Sequence, residues 1–161
     1  MFFCCLFIIK LLKLLCMLKI AFVCDGNTCR SPMCECIFKS FLKQTQNKSV
    51  NVSSYGISAI ANTPMNENAK QVLKKYKISG THKAKKLTDK VLKSKDYVFV
   101  MTETQRNILR KYNNVFSLKE FVDGIDIPDP YGLGLEEYEI VFKLLYSSLK
   151  RVYRKLVGEI I

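Results

Sequence analysis

One segment near the N-terminus combines residue types that can transfer a phosphoryl group. Residues 23–32 read VCDGNTCRSP. Cys24 can attack as a thiolate, and Arg30 can hold two phosphate oxygens with its planar guanidinium. Ser31 can donate a hydrogen bond to that thiolate and ease its departure. A thiol nucleophile beside an anion-binding group indicates phosphoryl transfer through a phosphocysteine intermediate.

The segment lies between a predicted strand and a predicted helix. Residues 20–23 form a continuous apolar run, typical of a strand buried on both faces, and Ser31 can cap a helix. Backbone N–H groups of a tight turn and of a helix N-terminus converge into an anion-binding nest. Gly26 and Asn27 tolerate positive φ, which lets the loop wrap an anion. We expect this environment to lower the pKa of the Cys24 thiol.

Strands and helices alternate along the rest of the chain. This order predicts an α/β fold of three layers, in which a four-stranded parallel sheet is flanked by helices on both faces. The phosphate-binding loop follows the first strand, at the carboxyl edge where such sheets bind ligands. The predicted strands are residues 20–23, 50–55, 97–100 and 115–118, and the predicted helices begin at Ser31 and cover residues 69–76, 87–95, 102–112 and 135–157.

The composition limits the class of protein. A chain of 161 residues fits one domain, and its net charge of +12 favours anionic partners without selecting among them. The lysines are scattered and form no recognisable nucleic-acid-binding motif, so we predict no nucleic-acid partner. A basic, non-enzymatic anion-binding module remains an alternative, because a cysteine followed six residues later by arginine is common by chance.

The cysteines indicate a reduced chain without a structural metal. All seven lie within the first 36 residues, whereas a disulfide framework would be spread along the chain. The only histidine is His82, and no second, distant cysteine pair exists, so a zinc site is not expected. We predict a cytoplasmic protein that needs no cofactor.

Residues 1–16 form an apolar extension before the domain. They carry Lys10 and Lys13 inside the apolar run and are shorter than the roughly 20 residues that span a bilayer. We interpret them as the product of an upstream start, with the domain covering residues 17–161. A short membrane-surface helix is the alternative, and membrane contact is expected only if these residues are expressed.

A phosphate ester whose leaving oxygen is strongly basic needs a proton on that oxygen, so an acid is expected above the loop. Residues 123–134 hold three of the seven glycines and two of the four prolines, which predicts a long loop. Asp123, Asp126 and Asp129 all lie in it, and the residues alone do not rank them.

The segment at 23–32 resembles the low-molecular-weight protein tyrosine phosphatases, whose signature V-C-x-G-N-x-C-R-S-P it matches at every specified position. The resemblance covers essentially residues 17–161, and Asp129-Pro130 is similar to the family's late Asp-Pro pair. It implies hydrolysis of phosphotyrosine on a phosphorylated protein or peptide by Cys24, Arg30 and the general acid Asp129. A monomer or weak dimer is expected.

The resemblance also assigns supporting roles. It implies that Ser54 and His82 hold the loop through the motif Asn, and that Cys29 can form a reversible disulfide with the nucleophile. The substrate-binding residues it implies are Asp25, Gly26, Asn27, Thr28, Cys29, Ser31 and Tyr131.

Several departures from the family pattern leave the substrate open. Thr28 stands where many tyrosine-specific members have Ile, and Asp25 places an acid beside an anion pocket. Ile60 replaces a frequent aromatic wall residue. A protein-arginine phosphatase is therefore the alternative. A thiol-coupled arsenate reductase ranks lower, because it needs downstream cysteines and none follows Cys36.

Overall fold

The computed structural model describes residues 17–160, and the interpretation of residues 1–16 lies outside that range. Four parallel strands form one sheet in the order β2-β1-β3-β4. This confirms the predicted α/β class and its four-stranded parallel sheet. The strands are β1 (Leu18–Cys24), β2 (Val50–Gly56), β3 (Tyr97–Val100) and β4 (Val115–Ser117).

The helices follow the predicted order with shorter bounds in the middle of the chain. They are α1 (Arg30–Gln44), α2 (Glu67–Lys75), α3 (Asp89–Lys93), α4 (Glu103–Ile108), α5 (Leu118–Val122) and α6 (Leu135–Leu156). The predictions of helix over residues 87–95 and 102–112 were too long. Helix α5 was not predicted, since the predicted fourth strand ran to residue 118. The helix is capped by Ser117, whose hydroxyl accepts a hydrogen bond from the backbone N–H of Glu120.

Alternation along β1 divides the core between the two faces of the sheet. Ile20 and Phe22 point to one face, which α1, α2, α5 and α6 cover. Ala21 and Val23 point to the other, where Leu92 of α3 packs. Burial on both faces explains why the strand reads as a continuous apolar run.

This architecture places the loop after β1 in the middle of the carboxyl edge. Cys24 is in register with Gly56, the last residue of β2, and β3 ends on the other side of β1. Helix α1 begins at Arg30, directly after the loop. Within residues 17–160, no helix is both long and apolar enough to cross a membrane.

Candidate active site

The thiol of Cys24 lies at the carboxyl end of β1 and is only 3% exposed. Its Sγ is 3.0 Å from Ser31 Oγ, which also donates to the Tyr55 carbonyl oxygen at 3.2 Å. A hydroxyl has one hydrogen, so the thiol donates to Ser31 when protonated. Once Cys24 ionises, Ser31 can turn its hydrogen to the thiolate.

The expected fall in the pKa of the Cys24 thiol is not seen in this state. Burial raises the pKa above its ordinary value, and the Ser31 hydrogen bonds and the Arg30 charge oppose that effect only in part. Two carboxylates, Asp25 and Asp129, also contact the Arg30 guanidinium. Ser31 also does not cap α1, since the cap position is Cys29.

Arg30 is buried, and its guanidinium contacts two carboxylates and a carbonyl oxygen. Its Nη2 donates to Asp25 Oδ2 at 2.8 Å and to Asp129 Oδ2 at 2.6 Å, and its Nη1 donates to the Ile127 carbonyl oxygen at 3.2 Å. Within the part of the chain that the structure describes, Nε is buried and has no hydrogen-bond partner. A buried N–H without a partner costs free energy, so Nε is suited to an incoming anion.

Asn27 holds the loop in shape. It is fully buried and has φ of 55°, whereas Gly26 has no positive φ and does not need its conformational freedom. Its Nδ2 donates to Ser31 Oγ and Ser54 Oγ at 2.8 and 3.1 Å, and its Oδ1 accepts from the Lys85 backbone N–H at 2.8 Å. With His82 as a second donor to Oδ1, both N–H groups and both lone pairs of the amide have partners.

His82 reaches the same residue. Its Nε2 lies 3.0 Å from both Asn27 O and Asn27 Oδ1, so the ring donates from Nε2. Burial lowers the pKa of His82, with Glu35 opposing that effect. The neutral ring with its proton on Nε2 therefore satisfies both oxygens. Ser54 and His82 thus both contact Asn27 in the structure.

Glu35 completes this network and was not among the predicted site residues. Its Oε2 accepts from Ser54 Oγ at 2.6 Å and lies 3.9 Å from His82 Nδ1. Burial alone would raise the pKa of the Glu35 carboxyl, but hydrogen bonds from Lys39 and Ser54 outweigh it and hold the pKa below its ordinary value. Its position near the helix start was the only signal in the sequence, and that position indicates merely a favourable dipole.

A cavity of about 320 Å³ opens over Cys24 and Arg30. Ile60 and Tyr131 stand at its mouth with 78% and 72% of their surface exposed. The remaining wall residues are Asp25, Gly26, Thr28, Cys29, Ser58, Thr63 and Asp129. The predicted catalytic and pocket residues are thus brought together, except that Asn27 and Ser31 lie behind the loop as its support.

Comparison with known proteins shows which family this chain belongs to. The family model described as "Low molecular weight phosphotyrosine protein phosphatase" matches residues 19–160. The chain belongs to this family. It is a cysteine-dependent phosphatase, as the family resemblance implied.

Two curated relatives carry different substrate names. The protein-arginine-phosphatase of Bacillus subtilis (strain 168) is 34% identical over 150 residues, which are 89% of this chain and 97% of that protein. The low molecular weight protein-tyrosine-phosphatase PtpB of Staphylococcus epidermidis is 29% identical over 140 residues, covering 84% of this phosphatase and 96% of the relative.

A solved structure shares the fold as well. The low molecular weight protein tyrosine phosphatase from T. tengcongensis is 36% identical to this phosphatase and superposes with a TM-score of 0.80. The match covers 86% of this chain and 99% of that one.

Gly56 is a second residue of the phosphatase site that the sequence did not reveal. A Cβ atom at Gly56 would lie 2.5 Å from Asp25 O and 2.9 Å from Asn27 N, both in the phosphate-binding loop. At Gly26 an added Cβ would meet only Thr28 Oγ1 at 3.6 Å. The end of β2 therefore needs glycine because the loop backbone passes over it.

We expect Gly56→Ala to lower the melting temperature of the phosphatase, because backbone atoms in the loop must move to admit the methyl group. The cost should be about 1–3 kcal/mol in the free energy of unfolding. Thermal unfolding monitored by circular dichroism measures it, with Gly26→Ala as the matched control. Equal melting temperatures for the two variants would contradict this account of the loop.

Proposed function

We propose that this phosphatase hydrolyses phosphotyrosine in proteins through a phosphocysteine intermediate on Cys24. The observation that supports it most is the convergence of the Cys24 thiol, the Arg30 guanidinium and the Asp129 carboxyl on one cavity. These groups supply the nucleophile, the anion-binding donor and the acid that the reaction needs.

In the first step the Cys24 thiolate attacks phosphorus, an S–P bond forms, and the P–O bond to tyrosine breaks. Arg30 and the N–H groups of the loop stabilise the charge on the phosphoryl oxygens. Asp129 gives its proton to the departing phenolic oxygen. Water then attacks phosphorus, Asp129 takes a proton from that water, and the S–P bond breaks to release phosphate and the thiolate.

The position of Asp129 requires one rearrangement before this chemistry. Its Oδ2 now accepts from Arg30 Nη2 at 2.6 Å, and 47% of its side chain is exposed. An incoming phosphate dianion is a stronger acceptor for that N–H than one carboxylate. Substrate binding therefore releases Asp129 from Arg30 and leaves it free to carry a proton above the cavity.

Phosphoarginine is the second candidate substrate, and the cavity wall provides the reason. The Thr28 hydroxyl and the half-exposed Asp25 carboxylate both line it, and they can accept hydrogen bonds from N–H groups of a guanidine leaving group. The name of the Bacillus subtilis relative, a protein-arginine-phosphatase, favours the same alternative.

We expect two peptides of one sequence, carrying either phosphotyrosine or phosphoarginine, to separate these substrates. Our proposal predicts a higher kcat/KM for the phosphotyrosine peptide. Thr28→Ile should lower kcat/KM for phosphoarginine relative to phosphotyrosine by roughly tenfold, because one hydrogen-bonding group is lost from the wall. Phosphate release in the steady state measures both values.

Cys24→Ser serves as the control for contaminating phosphatases in that comparison. If the parent has a higher kcat/KM for the phosphoarginine peptide, the phosphotyrosine proposal is wrong and phosphoarginine is the substrate. If Thr28→Ile leaves the ratio of kcat/KM for phosphoarginine to kcat/KM for phosphotyrosine unchanged, Thr28 does not select the substrate.

The proposal also covers the compartment and the oligomeric state of the enzyme. The mechanism consumes a phosphorylated protein and requires a reduced thiol at Cys24, which supports a reducing compartment such as the cytoplasm. We propose a monomer or weak dimer that acts alone on its substrate, with residues 17–161 as the functional domain.

A further inference from the structure

Arg30 meets two carboxylates at one nitrogen, and only one of them can stay when substrate binds. Nη2 donates to Asp25 Oδ2 at 2.8 Å and to Asp129 Oδ2 at 2.6 Å. In the proposed reaction Asp129 turns to the leaving group and a phosphoryl oxygen takes its place. Asp25 is then the carboxylate that remains with Arg30.

Asp25 is well fixed for such a role. It follows Cys24 directly, and its carbonyl oxygen accepts from the Ser58 backbone N–H at 3.0 Å. Its Oδ2 also accepts from Gln105 Nε2 at 2.8 Å. A single carboxylate oxygen thus joins Arg30 to Gln105.

Gln105 anchors this contact to the end of β3. The residue is only 3% exposed, and its Oε1 accepts from the Met101 backbone N–H at 2.9 Å. The Thr102 hydroxyl accepts from the backbone N–H of Gln105 at the start of α4. Rotation of the amide group would lose both side-chain hydrogen bonds, so the group is held in one orientation.

We propose that Asp25 and Gln105 are positioning residues that clamp the Arg30 guanidinium for phosphate. Asp25 fixes Nη2 from one side while the Ile127 carbonyl oxygen fixes Nη1 at 3.2 Å. Two fixed points set the plane of the group, and in the proposed complex the unpartnered Nε–H and the Nη2–H released by Asp129 are then the donors left for the phosphate. This inference rests on the proposed phosphocysteine reaction.

The clamp also has an electrostatic consequence. The Asp25 carboxylate repels a phosphate dianion at short range, so it weakens ground-state binding while it orients Arg30. Orientation and charge can be separated because one oxygen of Asp25 accepts both hydrogen bonds. An asparagine can offer one such oxygen without the charge.

The test uses p-nitrophenyl phosphate, whose acidic leaving group depends less on the general acid. We expect Asp25→Ala to lower kcat by about 10- to 100-fold, because Arg30 loses the acceptor that orients it. We expect Asp25→Asn to regain most of that kcat and to bind inorganic phosphate more tightly than the parent. If Asp25 had only a structural role, its variants would have lower melting temperatures. Asp25→Asn would then not combine a restored kcat with tighter binding of phosphate.

A second variant tests Gln105, with its melting temperature measured beside its activity. Gln105→Glu keeps an oxygen for the Met101 N–H but faces Asp25 with another carboxylate, so we expect kcat to fall about tenfold. Gln71→Glu makes the same charge change on exposed α2 and should leave kcat within about twofold of the parent.

Two results would overturn the clamp: Asp25→Ala with the kcat of the parent, or Asp25→Asn as impaired as Asp25→Ala. Either result leaves the proposed function intact as long as the parent turns over and Cys24→Ser does not. Turnover by Cys24→Ser would instead contradict the phosphocysteine reaction itself.

Discussion

Cys24→Ser is expected to abolish turnover of every phosphate ester while the protein still binds orthovanadate or phosphate. The serine hydroxyl is a far weaker nucleophile than a thiolate, but the loop N–H groups and Arg30 that hold the anion remain. Steady-state phosphate release measures the first effect. Calorimetric titration with orthovanadate measures the second.

Cys36→Ser is the matched control for this exchange of sulfur for oxygen. Cys36 lies on α1 outside the cavity, and burial raises the pKa of its thiol to about 11, so it stays protonated at neutral pH. Its serine variant should keep the activity of the folded parent. Turnover near that of the parent in Cys24→Ser would refute the nucleophile.

Asp129→Ala is expected to lower kcat/KM for a phosphotyrosine peptide by roughly 10²–10⁴-fold, the usual value of a general acid. This ratio reports the steps up to departure of the leaving group, where a phenolate otherwise leaves without a proton. For an aryl phosphate with a very acidic leaving group, kcat/KM should fall far less. Initial rates with both substrates provide the comparison.

Asp126→Ala is the control within the same loop. The Asp126 carboxylate accepts from the backbone N–H of Glu103 at 3.2 Å, so its visible contact is local support for the start of α4. We expect a milder loss of activity than in Asp129→Ala. A larger loss in Asp126→Ala, or none in either variant, would show that the acid lies elsewhere.

The parts of this phosphatase that sequence predicts well are those with local signals. The apolar run at Tyr97–Val100 forms a strand with the predicted bounds, because a strand buried on both faces requires apolar residues at consecutive positions. The loop at 23–32 is equally local, because its turn residues and its nucleophile are neighbours along the chain. The fold class follows from the alternation of such segments.

The parts that sequence did not predict depend on contacts between distant residues. Gln105 meets Asp25 from 80 positions away, and no pattern around either residue indicates the pairing. Gly56 is required because the loop backbone and the Ala59 side chain lie 2.5–2.9 Å from the position that a Cβ would take. The pKa of Cys24 was misjudged because the loop residues reveal the Arg30 charge and the Ser31 hydroxyl, but not how deeply the fold buries the thiol.

The phosphocysteine itself can be observed most directly in Asp129→Ala. Because Asp129 is also the base of the second step, its removal should slow hydrolysis of the S–P bond, while an aryl phosphate with an acidic leaving group still forms it rapidly. Alkaline quenching within one turnover, followed by peptide mass spectrometry, should find one phosphoryl group on the peptide that contains Cys24, together with a burst of released phenol. Release of the phenol with no phosphoryl group on Cys24, or with that group on another residue, would contradict the mechanism.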